Sequence, residues 1–196
     1  MSIFNSLGSN YDINFVIQAL LADNNPKHKE ALIHLLKKKY GGSAVMTYKG
    51  RTAIELSLTS LKLPKGAAVA VNGFTCLAVE QAIVSAGLKI AYLDIEKEAL
   101  NFSAKTLESA IGKNKNIKVV IIQNTLGFPC DIENITKICR EEKLILIEDL
   151  AHSVGAKYIN GKEAGTVADF VLTFLCVGKF NMRSLTNSAF GHSPLL

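Results

Sequence analysis

The sequence predicts an α/β protein whose mostly parallel sheet carries helices on both faces. Short apolar runs of strand length alternate with longer segments whose apolar residues recur at helical spacing. The clearest run is 144–147, four large aliphatic residues bounded by polar ones, which is typical of a strand buried on both faces. Because parallel strands must be joined by crossovers, the alternation favours right-handed strand-helix-strand units.

Composition and charge argue against several classes of protein. The 196 residues, 48% of them hydrophobic, suffice for one core, and the net charge of +5 comes mainly from 27–39 and 113–118. Aromatic residues do not interleave these basic stretches, which favours solvated surface over a nucleic-acid site. The four cysteines form no Cys-x-x-Cys pair and follow no secretory signal, and no apolar run is long enough to span a bilayer. We expect a cytoplasmic protein with reduced thiols, no metal site, no nucleic acid and no membrane partner.

Two helices are expected before the alternating region. Residues 1–14 are rich in turn-forming residues, and the apolar residues of 15–20 then recur at helical spacing. A second helix begins at Pro26, carries its leucines of 32–36 on one face and its lysines on the other, and ends at Gly41. A packing helix with one solvated face accounts for this pattern.

The alternating region begins at residue 44. The patterns predict strands at 44–48, 67–71, 90–93, 117–123 and 144–147. They predict helices at 50–61, 75–87, 103–111 and 131–143. Thr75, Ser103 and Asp131 are placed to cap three of these helices through their side-chain oxygens.

The junction Gly50-Arg51-Thr52-Ala53 is a candidate phosphate site. Free backbone amides and the helix dipole favour an anion at a helix start, a glycine allows close approach, and the threonine hydroxyl adds a donor. A threonine at such a position is more often simply a cap. The stretch is not a P-loop, and the sequence has no G-x-G-x-x-G motif. A nucleotide-binding α/β protein that uses this junction nevertheless stays an alternative.

Asp149 and Lys179 are the other candidates for chemistry. Asp149 ends the central strand three residues before His152, so it either caps a helix or has a cationic partner, such as a protonated cofactor ring, a metal or a histidine. Lys179 follows an apolar segment, where a lysine can have a lowered pKa and act as a Schiff-base nucleophile. A phosphate site, a partner for a pyridinium and a Schiff-base lysine are the groups that pyridoxal phosphate (PLP) requires.

Five motifs resemble the DegT/DnrJ/EryC1/StrS family of sugar aminotransferases, which has the aspartate aminotransferase fold. In chain order they are GRTAIEL at 50–56, NGFT at 72–75, GFPCD at 127–131, IEDLAHSVGA at 147–156 and AGTVAD at 164–169. Their order and spacing carry the resemblance. It implies the three-layer αβα large domain of a fold type I PLP-dependent transferase, here incomplete.

The resemblance also implies roles for most of the candidate residues. Arg51, Thr52 and Ala53 would lie at the cofactor phosphate through the helix start. Asp149 would pair with the pyridine nitrogen and keep it protonated. His152 matches a position where the family usually has glutamine, near the phenolic oxygen of the cofactor, and a histidine can donate the same hydrogen bond.

Three stretches depart from the family pattern. Cys76 falls where relatives usually place an aromatic residue that stacks on the cofactor ring, and Phe74 is a candidate substitute. The stretch 173–179 lacks the serine that relatives carry before the lysine, and 180–196 shows no Gly-Gly. We hypothesise that the reading frame is broken near Thr173 and that the following residues are out of frame.

The expected organisation is one incomplete large domain over 1–196, with a helical segment at 1–43, an atypical tail at 174–196 and no carboxyl-terminal small domain. The resemblance implies transfer of an amino group from an amino acid donor to a keto-sugar, expected to be nucleotide-linked, with Lys179 as the Schiff-base lysine of a homodimer. Besides the nucleotide-binding protein, two further alternatives stay open. One is a truncated, inactive binding module, and the other is the dehydratase activity of sister enzymes in which histidine replaces the lysine.

Overall fold

The computed structural model describes residues 13–23, 25–97 and 99–173. The chain divides into two compact units, and the described residues 13–44 belong to one and residues 45–173 to the other. The predicted tail, Lys179 included, lies outside the described residues. None of the described helices combines the length and the apolar character that a membrane span requires.

The first unit contains both helices expected from the sequence, α1 (Ile13–Leu21) and α2 (Pro26–Tyr40). Asn25 caps α2, because its side chain accepts a hydrogen bond from the amide of Lys27 at 3.0 Å. At the other end Gly41 has a φ of 78°, a conformation that glycine adopts without strain, and the helix stops there as predicted.

The second unit alternates helices and strands. Its elements are α3 (Gly50–Ser60), β1 (Ala68–Asn72), α4 (Leu77–Ser85), β2 (Lys89–Leu93), α5 (Ala104–Lys113), β3 (Ile117–Ile122), a 3-10 turn (Thr125–Gly127), α6 (Ile132–Glu141), β4 (Ile145–Asp149) and β5 (Phe170–Leu172). The strands form one sheet in the order β2-β1-β3-β4-β5, and every neighbouring pair is parallel. The predicted α/β class and parallel sheet are confirmed.

Helices cover both faces of this sheet. Successive strand residues point to opposite faces, so each strand contributes to two cores. On one face α3 and α4 pack against alternate strand residues, in a cluster of Ile54, Leu58, Val69, Val71, Val79, Ala82, Ile83, Val119, Ile121, Ile147 and Leu172. On the other face α5 contacts β2, α6 contacts β4, and the two helices contact each other. The architecture therefore has three layers.

Two of the three predicted caps are present. Ser103 accepts from the amide of Thr106 at 3.1 Å, and Asp131 accepts from the amide of Asn134 at 3.4 Å. Thr75 was the wrong choice for α4, because the residue at its cap position is Cys76, which makes no side-chain capping bond.

The predicted strand at 44–48 is also wrong. These residues are not paired with any strand of the described sheet, and Val45 and Tyr48 are 73% and 95% exposed. The local pattern suits a strand, but a strand forms only where a sheet edge supplies hydrogen-bond partners.

The carboxyl ends of the parallel strands define one edge of the sheet. Because α3 leads back to the beginning of β1, the amino terminus of α3 also lies at this edge. The strand order reverses at β1, which has β2 on one side and β3 on the other. Open α/β sheets bind ligands at such a carboxyl edge.

Candidate cofactor site

Asp149 lies at the carboxyl edge, as the last residue of β4, and is only 2% exposed. Its Oδ1 accepts from the amide of Ala151 at 3.0 Å, and its Oδ2 accepts from Nε2 of Gln123 at 3.3 Å. It continues the face of Ile147, which packs in the same cluster as Ile54 of α3. An ionised carboxylate that accepts from these two N–H donors could pair with a cation at this edge.

Gln123 is a functional candidate that the motifs did not identify. It follows β3 directly, is 6% exposed, and its backbone oxygen accepts from the hydroxyl of Ser153 at 3.5 Å. Its Oε1 is buried and has no hydrogen-bond partner among the residues that the structure describes. A polar side chain that ends an apolar strand beside the central strand was the available sequence signal.

His152 lies exposed in the turn that follows β4. Its Nδ1 accepts from the amide of Leu126 at 3.4 Å, so the neutral ring carries its proton on Nε2. Leu126 has a φ of 54°, and the next residue, Gly127, has a φ of 86°, a conformation in which most side chains are strained. A Cβ at Gly127 would make ordinary contact with the His152 carbonyl oxygen at 3.5 Å. The turn therefore directs the Leu126 amide at Nδ1 of the His152 ring. The N–H group at Nε2 is then the hydrogen-bond donor of this ring.

The helix start predicted to bind phosphate is α3. Gly50, Arg51 and Thr52 are its first three residues, whose amides have no carbonyl acceptor one turn earlier in the helix. The amide of Ala53 already donates to the carbonyl oxygen of Lys49 at 3.2 Å. The residues open to an anion through their amides are thus 50–52, while Ala53 contributes only its position in the first turn.

The Arg51 side chain points to α4. Its Nη1 donates to Oε1 of Gln81 at 2.7 Å, and both side chains line a groove of about 430 Å³ between α3 and α4. The groove is wide open and mixes acidic with apolar side chains, such as Glu80 and Leu77. Arg51 therefore fixes α3 against α4 in this structure and is available to an anion at the helix start through its amide.

The loop after β1 carries Phe74 and Cys76, the two candidates for the cofactor ring. Phe74 is 55% exposed, and its amide donates to Oδ1 of Asn72 at 3.4 Å. Cys76 is an exposed free thiol immediately before α4. Both side chains are accessible at the carboxyl edge of the sheet.

Glu148 is fully buried and points to the face opposite Asp149. Its Oε1 accepts from the amides of Val167 at 3.2 Å and Ala168 at 3.1 Å. Its Oε2 accepts from the Tyr158 hydroxyl at 2.7 Å and the Gly165 amide at 2.6 Å. These four donors compensate the burial of the charge and hold the β4–β5 connection against the strand.

The Glu148 network reaches the turn that holds His152. The Tyr158 hydroxyl accepts from Nδ2 of Asn124 at 2.8 Å, and Oδ1 of Asn124 accepts from the amide of Cys130 at 3.0 Å. Burial and then the Glu148 charge raise the pKa of Tyr158, and the same two causes raise the pKa of Cys130 to about 12. Both groups stay protonated at neutral pH, so the hydrogen bonds that join β4 to the turn after β3 are retained.

Of the predicted site residues, the structure places Asp149 and His152 next to each other. Asp149 and His152 share one segment, and the turn 123–127 contacts both of them through Gln123 and Leu126. The α3 start and the loop after β1 reach the same edge of the sheet. Lys179 lies outside the described residues, among which no group of three or more His, Cys, Asp or Glu side chains is arranged to hold a metal ion.

The chain matches a known protein family. The model of the DegT/DnrJ/EryC1/StrS aminotransferase family matches residues 19–175. The chain belongs to this family. Its relatives include the GDP-perosamine synthase of Vibrio cholerae, which is 34% identical over 141 residues, 72% of this chain and 37% of that protein. The family prediction made from the motifs is confirmed.

Two solved structures extend the comparison. The GDP-4-keto-6-deoxy-D-mannose-3-dehydratase of E. coli with bound hydrated PLP is 26% identical, with a TM-score of 0.64 over 79% of this chain and 42% of that one. The PLP form of a putative sugar aminotransferase of Streptococcus pneumoniae is 24% identical, with a TM-score of 0.71 over 86% of this chain and 48% of that one. The predicted fold type I architecture and the PLP cofactor of the family are confirmed. The chain spans less than half the length of each of these relatives.

Proposed function

We propose that this chain provides the noncovalent part of a PLP site in an aminotransferase that transfers an amino group from an amino acid to a nucleotide-linked keto-sugar. The observation that carries the proposal is Asp149, a buried carboxylate held by two donors at the carboxyl edge of the sheet. The names of the Vibrio cholerae and E. coli relatives both contain a GDP-linked sugar, which supports the substrate class.

Asp149 is the proposed partner of the ring nitrogen. When bound, PLP supplies a ring that accepts electrons from the substrate carbon, and a protonated ring nitrogen strengthens this property. The Asp149 carboxylate holds that proton by charge and by a hydrogen bond. Because Asp149 is buried, water screens the ion pair little.

The remaining noncovalent contacts are proposed for three places around Asp149. The amides of Arg51 and Thr52 at the start of α3 bind the phosphate, helped by the helix dipole. The N–H group at Nε2 of His152 would donate a hydrogen bond to the phenolic oxygen, since Nδ1 already accepts from the amide of Leu126. Phe74 or Cys76 contacts the face of the ring.

Lys179 is proposed as the covalent partner, and its Nζ as the group that moves the proton during transfer. The proposal includes a homodimer, as the resemblance to the family implies. These parts depend on the chain beyond the described residues and are tested separately from the noncovalent site.

The first experiment is a titration of the full chain with PLP, followed by visible absorption and by quenching of intrinsic fluorescence. Asp149→Asn is expected to weaken binding about 100-fold, because it removes a buried charge from an ion pair. Asp94→Asn is the matched control, an exposed aspartate just after β2 at the same edge, and should leave the affinity unchanged. Equal affinities of wild type and Asp149→Asn would refute the proposed role.

A second experiment separates catalysis from binding. Lys179→Ala should remove the visible band of the covalently bound cofactor but leave noncovalent binding, detected by fluorescence. Addition of an amino acid donor to the wild-type chain with PLP should shift the band. Binding without such a shift would favour the alternative of an inactive binding module.

A further inference from the structure

We infer that Gln123 is a positioning residue for Asp149, with the side-chain amide holding the carboxylate in the orientation that a cofactor ring nitrogen requires. The inference rests on the proposed function and adds a residue to it. Two observations support it, the register of β3 against β4 and the environment of the two amide atoms.

The register places Gln123 beside Asp149. Strands β3 and β4 are parallel neighbours in which Ile122 lies opposite Glu148, so the next residue of each strand continues the pairing. Nε2 of Gln123 lies 3.3 Å from Oδ2 of Asp149. The opposite orientation of the amide would place Oε1 against the carboxylate, two acceptors in contact, so the donor assignment follows from charge.

Stability alone does not account for a glutamine at this position. Its Oε1 is buried and has no hydrogen-bond partner within the described part of the chain, which destabilises the folded state. An unbranched apolar side chain of similar length, such as methionine, would fill the same space without that cost. What the amide adds is the donor to Asp149.

The described strand residues on either side of Asp149 carry no charge. In the neighbouring strands the residues beside Asp149 are Gln123 and Leu172, both uncharged, and Glu148 points to the opposite face. His152, in the turn after β4, is the nearest titratable group in the chain sequence on that side. Loss of the Gln123 donor removes one hydrogen bond to the ionised form of Asp149, which should change the ionisation and the orientation of this carboxylate.

The test replaces Gln123 by methionine in the full chain. Without PLP, the carboxyl carbon chemical shift of Asp149 is followed against pH, and the pKa of Asp149 is expected to rise. With PLP, the affinity is expected to fall about tenfold, as for loss of a hydrogen bond to a charged group. A role in stability alone would leave the Asp149 titration unchanged, and that result in a folded Gln123→Met variant overturns the inference.

Thr136→Val is the matched control. Thr136 lies on α6, and its hydroxyl is another buried polar group without a hydrogen-bond partner among the described residues. Its removal should leave both the Asp149 titration and the PLP affinity as in the wild type. A shift of the Asp149 titration as large as that in Gln123→Met would show that any core change has this effect, and would overturn the inference.

A second variant keeps the test decisive if Gln123→Met does not fold. Gln123→Glu places a second carboxylate beside Asp149, and two adjacent carboxylates titrate as a coupled pair with one raised pKa. Independent titration of the two groups would overturn the inference. If wild-type protein binds no PLP, the proposed function fails, but the Asp149 titrations still decide the role of Gln123.

Discussion

Glu148 and Asp149 are adjacent carboxylates at the end of one strand, and both are buried, yet they differ in what surrounds them. Glu148 accepts four hydrogen bonds, three of them from backbone amides of the β4–β5 connection. The bonds that the described residues make to Asp149 include one from the chain just after it and one from the Gln123 side chain at the open edge. Burial alone therefore does not distinguish a carboxylate that supports the fold from one that is proposed to bind a cofactor, whereas the kind of donor and the place in the sheet differ between these two.

The largest expected effect is on the Glu148 side. Glu148→Gln should lower the free energy of unfolding by about 3–5 kcal/mol, because the new amide directs its own hydrogens at two N–H or O–H donors and removes the charge they bind. Urea denaturation measures the change. Glu141→Gln, in an exposed pair with Lys137, should change stability by less than about 0.5 kcal/mol. An equally small change for Glu148→Gln would remove the contrast between the two carboxylates.

High pH should also lower the free energy of unfolding, through the buried Cys130 thiol near Glu148. Burial, with the Glu148 charge second, raises the pKa of the Cys130 thiol from 9.0 to about 12. Between these values the folded chain keeps a proton that the unfolded chain loses, so this thiol makes stability fall with rising pH, by about 1.4 kcal/mol per pH unit. Cys130→Ala should reduce the slope of unfolding free energy against pH by that amount. Cys76→Ala, at an exposed thiol, should not change the slope.

The smallest expected effect on stability is at Asp149. In Asp149→Asn the Gln123 amide can rotate, so that its buried Oε1 accepts from the new side-chain amide, and the bond from the Ala151 amide is retained. We expect a change in unfolding free energy below about 1 kcal/mol, within the range of one exchanged hydrogen bond. Urea denaturation of this variant beside Glu148→Gln measures the comparison. A loss as large as in Glu148→Gln would make Asp149 a structural residue.

The structure also bears on the nucleotide-binding alternative. In doubly wound sheets a ligand often enters the crevice where the strand order reverses, here between β1 and β3. Nδ2 of Asn72 donates to Leu100 O at 2.7 Å and to Thr125 Oγ1 at 3.2 Å, and the Thr125 amide donates to Oδ1 of Asn101 at 3.1 Å. These hydrogen bonds join β1 to the turn after β3 across that crevice. They therefore favour a ligand site beside β4 over a site between β1 and β3.

Most of the fold could be predicted from the sequence because its signals are local. The apolar run at 144–147, the caps Ser103 and Asp131, and the stop at Gly41 depend on residues within one or two turns of each other. The strand expected at 44–48 depends on a neighbouring sheet edge, which a local pattern does not contain.

The residues of the candidate site likewise include some that a local motif predicts and others whose contacts depend on the tertiary structure. Asp149 and His152 were found through a contiguous motif. The roles of Gln123 and Glu148 depend on strand register, on which face each side chain takes, and on donors from Tyr158 and the residues at 165–168. The Arg51 side chain was expected at the phosphate only through the helix start, and its bond to Gln81 depends on how α3 packs against α4. Packing and register are tertiary properties that the motifs do not specify.

The order of the two sets of donors along the chain has a consequence for synthesis on the ribosome. Gln123 precedes Asp149 by 26 residues, whereas the donors to Glu148 follow it by 10 to 20 residues. A growing chain that has reached β4 already contains the Gln123 donor to Asp149 but none of the four donors to Glu148. Since an uncompensated buried charge is costly, β4 should stay hydrated until Ala168 has left the ribosomal tunnel and should then dock together with its connection. On this expectation, the central strand joins the sheet only after its connection to β5 has been synthesised.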